Sequence, residues 1–388
     1  MEQALKEPLM AKFQVEGSSI WANVFLAFLT TAGLFYVNIM PALVSGLIEG
    51  LAFTKQQAGQ VSSANLYGAS FGALLAVFLV KKINWRSWSF VLLSGILIID
   101  FISSLVTNAE VMIALRALHG LVGGLSVGIG FAVIARTADP DKAFGYLLFI
   151  QWGLGGLGLM VLPPLVPEYG SSVLFYSLMI FTLVALVMLC FLPDYPPKQS
   201  VKLEGKTALK PLLFAIAAIF LFQAANMGLF AYMIELGKAE GLSREFMSPA
   251  LAAASWIALI GAFLVIVIGT KFGRLLPLIL GIVVTAICSW ALHFSELEWV
   301  YLVPNVIIGI TWALVLPFLF GLCSELDKAG NLTALGGFAS KMGLASGPLV
   351  ASMLLGDGHY GLIINVAVVG LLLCALVAVY PARLLDRQ

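Results

Sequence analysis

The chain has 388 residues, 61% of them hydrophobic and only 11% charged, with a mean hydropathy of +1.03. Soluble proteins average roughly 45–50% apolar and about 25% charged residues, and a soluble fold of this length cannot bury the surplus. That excludes an ordinary cytosolic enzyme, a secreted disulfide scaffold and a disordered chain. The balance of 21 basic against 20 acidic residues contains no basic run for a nucleic-acid partner. The bilayer is the solvent that fits.

The N-terminal stretch is polar and mixed in charge. It lacks the basic, apolar, small-residue order of a cleavable signal, so the first apolar span is expected to remain as a helix. A membrane-crossing helix needs about 20 mostly apolar residues. Apolar runs of that length predict twelve spans, over residues 19–48, 55–80, 86–106, 109–136, 142–165, 170–192, 208–237, 243–269, 275–293, 298–323, 331–355 and 359–380. Most connections are short. The longest is rich in Pro and Lys and lies near the middle of the chain. The sequence therefore divides into an N-terminal six-helix bundle (1–192), a central linker (193–208) and a C-terminal six-helix bundle (209–388).

Loop charge sets orientation. With the N-terminus inside, sixteen of the 21 Lys and Arg residues fall on the inner side and only Lys55, Lys238 and Arg244 on the outer. This places both termini and the linker in the cytoplasm. Arg116 and Lys341 remain within spans. Trp21, Trp85, Trp88 and Trp299 fall near span ends, as an aromatic belt requires. Cys190, Cys288, Cys323 and Cys374 each lie in apolar runs without the spacing of a metal site or redox pair.

The halves repeat. Glu49-Gly50-Leu51 matches Glu240-Gly241-Leu242 at an offset of 191, and Gly72-Ala73-Leu74-Leu75 matches Gly261-Ala262-Phe263-Leu264 at 189. Arg116 and Gly120 match Asn305 and Gly309, also at 189. A half-chain repeat that preserves span order is the mark of parallel six-helix repeats.

Three motifs then give a resemblance. The loop after the eighth span, Gly269-Thr270-Lys271-Phe272-Gly273-Arg274, resembles the Gly-x-x-x-Asp-Arg-x-Gly-Arg loop of the major facilitator superfamily, with Thr270 at the usual Asp position. The first-half copy has Lys81 there. In the fourth span, Arg116-Ala117-Leu118-His119-Gly120 resembles the Arg-x-x-Gln-Gly motif of proton-coupled members, with His119 replacing Gln. The glycine-rich fifth span and Gly347-Pro348 of the eleventh loosely resemble the Gly-Pro motif of drug antiporters. The resemblance covers the whole chain. It implies an all-α membrane protein of twelve helices in two pseudo-symmetric bundles that rock about a central midplane site.

Ionisable groups within spans are costly and mark function by default. Lys341 lies about ten residues into its span, roughly 15 Å deep at 1.5 Å per residue, with no obvious acid beside it. It is expected to be a cavity cation for an anionic group. Arg116 and Asp100 lie at similar depths on neighbouring spans; they read either as a mutual ion pair or, for Arg116, as a second cavity cation. His119, one turn from Arg116, reads as a hydrogen-bonded helix histidine or a proton site. Glu235 reads as an outer gate, a proton carrier or a boundary carboxylate in water. Proton coupling is thus expected of His119, Glu235 and Asp100.

Two polar stripes run along single helix faces: Gln56, Gln60, Ser63, Tyr67 and Ser70 on the second span, and Thr31, Asn38 and Ser45 on the first. Their midplane members, Tyr67 and Asn38, are expected to line a cavity, and the outer part of the second span is a candidate seal. Tyr36, Gln151, Trp152, Gln223 and Asn226 complete the expected substrate-binding set, with Lys341 and Arg116. No ATP-binding loop occurs and the three histidines are scattered, so no catalytic set, metal or cofactor is expected.

The sequence therefore predicts a monomeric secondary transporter of a bacterial inner membrane. Its partners are protons, the bilayer and a small anionic or carboxylate-bearing zwitterionic solute. An efflux pump for amphiphilic drugs is the alternative within transport, and a non-transporting membrane receptor the alternative from another class.

Overall fold

The computed structural model describes residues 14–196, 207–269, 271–327, 333–355 and 360–387. Thr270, residues 197–206 of the linker and the first residues assigned to the eleventh span lie outside them. Among the described residues, ten helices are long and apolar enough to cross a membrane. The other two spans fall short for separate reasons. The first is broken into shorter pieces, and the eleventh (Thr333–Leu354) carries Lys341 among glycines and serines.

The fold is all-α, with twelve spans in two six-helix bundles. The second span is Lys55–Leu79, and the third to sixth are Trp85–Leu105, Ala109–Ile134, Pro140–Tyr169 and Ser172–Phe191. The ninth begins at Leu275–Ala291, the tenth is Glu298–Leu326 and the twelfth Tyr360–Asp386. Polar caps start several of them. Thr54 and Gln57 form a reciprocal capping box at the second span, and Asn84, Asn108 and Asp139 each accept from a first-turn amide.

Three spans predicted as single helices are interrupted. The first runs as Ile20–Ala32, Phe35–Asn38 and Met40–Leu51. Pro41 has no amide hydrogen for the Val37 carbonyl, so the ladder cannot continue there. The seventh breaks at Tyr232 into Leu209–Ala231 and Met233–Ala239, and the eighth at Ala258 into Arg244–Ile257 and Leu259–Ile268. Breaks in membrane helices occur where the backbone is covered by protein or lines a cavity, and the first, seventh and eighth spans all line the central one.

Close packing within each bundle rests on glycine. A Cβ on Gly120 or Gly124 of the fourth span would collide with backbone of Asn65 or Ala69 on the second, and one on Gly68 or Gly72 would collide with Ala117 or Leu121. Small residues let backbones approach in this way where no hydrophobic force between helices exists. Gly343 and Gly347 of the eleventh span do the same against the seventh.

Between the bundles, the second span packs on the eleventh and the fifth on the eighth. On the face opposite the chain termini the halves are tied by a charged cluster. Lys238 of the seventh span donates to Ser45 (2.6 Å), Glu49 and Glu235, and Arg244 donates to Glu49 (2.6 Å) and to the Pro163 carbonyl (3.3 Å). Tyr232 donates to the Lys55 carbonyl at 2.8 Å, and the Lys55 ammonium lies 4.7 Å from the centre of the Tyr360 ring. On the termini-bearing face, the ion pair among the described residues, Arg274 with Glu325, stays within one half. Among the described residues, the ion pairs that join the halves therefore lie on the face opposite the termini.

Candidate functional site

A central cavity of about 420 Å³ lies between the halves. Leu251 and Met233 bound it toward the sealed face. Phe131, Leu148, Ala262 and Phe320, all in the other half of their spans, carry it toward the termini-bearing face. Among the described residues no charged side chain lines it. Its polar groups are amides, indoles and one serine.

Five of the expected binding residues line this cavity: Asn38, Gln151, Trp152, Gln223 and Asn226. The amides are held. Asn38 donates to the Gln151 carbonyl (2.7 Å) and accepts from the Gln151 side chain (3.2 Å), which joins the broken first span to the fifth. Gln223 donates to Ser340 (2.8 Å) and accepts from the Trp312 indole (2.7 Å), which joins the seventh span to the eleventh and tenth. Asn226 donates to the Phe222 carbonyl one turn back (2.8 Å).

Sequence reasoning missed Asn305 and Trp312 of the tenth span, which also line the cavity. A signal was present. Asn305 is the repeat counterpart of Arg116, and Asn305, Gly309 and Trp312 recur at helical spacing on one face.

Arg116 does not reach the cavity. It is fully buried in the N-terminal bundle and donates to Asp100 at 2.8 Å, to Ser103 and to the Ile99 carbonyl at 3.4 Å. Its guanidinium lies over the rings of Tyr36 and Phe175, at 5.9 and 5.3 Å. Tyr36, expected in the cavity, is buried in this cluster instead. The physical reason is local: an acid at matching depth on the adjacent span neutralises the arginine before any ligand does.

His119 completes the cluster. Asn65 Nδ2 donates to the Arg116 carbonyl (3.3 Å), so the amino group of Asn65 also faces His119 Nδ1 at 2.7 Å. Nδ1 therefore accepts and the ring proton sits on Nε2, 3.4 Å from Asp100 Oδ1. Asp100 Oδ2, Arg116 Nε and His119 Nε2 have no hydrogen-bond partner.

The remaining residues fall elsewhere. Tyr67 bonds Ser346 across the two halves at 2.9 Å rather than lining the cavity. Glu235 belongs to the sealing cluster. The first-span stripe is divided by the helix break: Thr31 is buried in the bundle, Asn38 is in the cavity and Ser45 is in the seal. Lys341 is half-buried and has no hydrogen-bond or ion-pair partner among the described residues. It lies three residues before the cavity-lining Leu344, about 60° round the helix at 100° per residue. That is one turn closer to the open face. Among the described residues no group of three or more acidic, histidine or cysteine side chains is placed to hold a metal.

The Major Facilitator Superfamily profile matches residues 21–348. No curated protein sequence matches the chain. Among solved structures, the nucleoside transporter NupG superposes with a TM-score of 0.73 at 12% identity, covering 93% of this chain and 98% of that one. The D-xylose-proton symporter gives 0.72 at 16% identity, covering 92% and 97%. The POT family transporter PepTSo gives 0.70 at 13% identity, with the same coverage. At such identities the likeness is one of fold.

Proposed function

We propose that this chain, which belongs to the major facilitator superfamily, is a proton-coupled secondary transporter of a small organic anion or carboxylate-bearing zwitterion. Lys341 carries the substrate reading. A half-buried cation deep in a span, without an acidic partner among the described residues, is sustained by a ligand that supplies the missing charge. The apolar and aromatic walls next to it take the body of the solute. The fold does not choose the substrate, because the structures it resembles include a nucleoside transporter and a xylose symporter.

In this reading the two units, residues 1–192 and 209–388, rock about the cavity while residues 193–208 join them in the cytoplasm of a bacterium. The protein works as a monomer in the inner membrane. The basic inner loops support cytoplasmic termini, so the sealed face is external and the cavity opens inward. Asp100 and His119 take the coupling proton. Asp100 Oδ2 is an unoccupied acceptor beside a buried arginine. A proton there removes the countercharge of Arg116, and a buried unpaired charge drives rearrangement of its surroundings.

Reconstitution into liposomes loaded with a pH-sensitive dye tests both parts. Aromatic and aliphatic carboxylates are expected to move the internal pH, and Lys341→Met to abolish that response. Carboxylate uptake unchanged in Lys341→Met refutes the substrate class. Uptake without proton movement refutes the coupling. A second reading, export of uncharged amphiphiles, is favoured by the uncharged aromatic walls. Flux confined to lipophilic solutes, indifferent to Lys341, would establish it.

A further inference from the structure

The polar groups of the cavity are not free to present either end. Asn226 on the seventh span and Asn305 on the tenth have the same arrangement. Each side-chain amino group donates to the backbone carbonyl four residues earlier, Asn226 to Phe222 at 2.8 Å and Asn305 to Tyr301 at 2.7 Å. Turning either amide over would set its oxygen against that carbonyl oxygen and lose the bond. Each therefore keeps its Oδ1 out of that bond, and both residues line the cavity, the Asn226 oxygen itself being enclosed. Asn226 is almost wholly buried and its Oδ1 has no partner. Asn305 is also buried, and its Oδ1 accepts no bond among the described residues. A buried acceptor left unpaired costs free energy, and a donor on a solute in the cavity that both residues line would relieve it.

The other amide on this wall, Gln223, is occupied at both ends, by Ser340 and Trp312. The Trp312 indole is thereby consumed as well. Of the lining side chains that can only donate, the Trp152 indole is left, on the opposite half. The C-terminal wall thus offers oxygen acceptors at two heights. Gln223 and Trp312 set the register between the two spans: Asn226 lies one turn and Asn305 two turns from that contact, both toward the sealed face. At 1.5 Å per residue the two are offset by about 6 Å along the helices.

We infer that the transported solute carries at least two hydrogen-bond donors, hydroxyl or N–H, spaced to reach Asn226 and Asn305. The donors are neutral, which favours the anion over the zwitterion of the proposed function, because among the described residues no acidic side chain lines the cavity to balance an ammonium. Sites built to receive a donor reject the analogue lacking it far more strongly than apolar walls reject a missing methylene. Specificity in this protein is then set by the C-terminal wall. The inference rests on the transport reading above but not on its anionic part.

Matched pairs of solutes test it. Indole-3-acetate and 3,4-dihydroxyphenylacetate are compared with 1-methylindole-3-acetate and 3,4-dimethoxyphenylacetate, and catechol with 1,2-dimethoxybenzene as a carboxylate-free pair. Liposome uptake and thermal stabilisation of the purified protein are both read. The expected result is at least a tenfold preference for dihydroxyphenylacetate over its dimethoxy partner, a smaller one for the single-donor indole pair, and loss of the preference in Asn226→Leu and Asn305→Leu. Weak binding of the methylated member should be unaltered by either substitution. If no donor-bearing solute outcompetes its methylated partner, or if the preference survives both substitutions, the inference is overturned. If catechol is preferred over dimethoxybenzene while Lys341→Met changes nothing for the acids, the donor rule stands and the anionic reading falls.

Discussion

The buried cluster of Asp100, Arg116 and His119 makes the sharpest energetic claim. In Asp100→Asn the Arg116 guanidinium loses its countercharge while remaining fully buried, and the new amide oxygen, Ser103 and the Ile99 carbonyl are its remaining, uncharged acceptors. Removing one partner of a buried ion pair costs about 3–5 kcal/mol, since it leaves an uncompensated charge in low dielectric. That is two to four orders of magnitude in the folding equilibrium at about 1.4 kcal/mol per tenfold. Replacing both partners, as in Asp100→Leu with Arg116→Met, removes the charge and keeps apolar volume. It is expected to fall within about 1 kcal/mol of the parent, because desolvation offsets most of the worth of an intact pair. The assay is a double-mutant cycle on detergent-solubilised protein, unfolded by increasing mole fraction of sodium dodecyl sulfate and followed by tryptophan fluorescence. If Asp100→Asn costs less than about 1 kcal/mol, or the double replacement is as damaging as the single, the pair is not what holds Arg116.

Two further outcomes follow from the same geometry. Lys238→Met removes three bonds at the sealed face, made by a partly exposed ammonium to the partly exposed Glu49 and to the buried Ser45 and Glu235. Such pairs contribute little singly, so the network is expected to be worth about 1–2 kcal/mol, a factor of about 5–30 in opening. Labelling of Ser352→Cys by a membrane-impermeant maleimide should speed up by that factor, since Ser352 is buried against the Gly59 turn of the second span; an unchanged rate would show that the cluster does not hold the face shut. Gly120→Ala puts a methyl into the Asn65 carbonyl and should cost about 1–3 kcal/mol. Gly145→Ala, which meets nothing within 4 Å, should be neutral or stabilising by about 0.5–1 kcal/mol. Thermal unfolding of the two proteins side by side checks the contrast.

The twelve spans were legible because hydropathy at membrane length is a strong one-dimensional signal. The breaks at Tyr232 and Ala258 were not, since nothing in those residues distinguishes them from the helix around them. At Tyr232 the side-chain hydroxyl bonds the Lys55 carbonyl of the other half, a contact that residue spacing cannot show. The cavity amides on the first, fifth and seventh spans were readable as polar residues at midplane depth. The role of Arg116 was not, because depth matching brings Asp100 and Arg116 to one level but cannot say whether they face each other. The charged seal was missed for a similar reason. Glu49, Lys238 and Arg244 look like ordinary interfacial residues one at a time, and only the closure of the two halves makes them one cluster.

If Lys341 binds the solute as proposed above, its position ties recognition to movement. The eleventh span is one of the elements through which the second half touches the first: Ser346 meets Tyr67, Phe338 meets Phe71 with ring centres 5.9 Å apart, and Ser352 packs by Gly59. A ligand shifts a conformational equilibrium only by its differential affinity for the two states. A charge attracted to Lys341 acts on the same helix whose contacts must be remade when the face opposite the termini opens, whereas a solute held by Asn226 and Asn305 alone acts on the seventh and tenth spans. The seal is partly exposed and worth a few kcal/mol at most, so the differential needed to open it is within reach of one charged contact beside a cavity that no charged side chain lines among the described residues. Moving the cation one turn, as in Lys341→Met with Leu344→Lys, should therefore restore binding of a carboxylate more than its transport. Equal recovery of both would mean that Lys341 recognises the solute without influencing the movement.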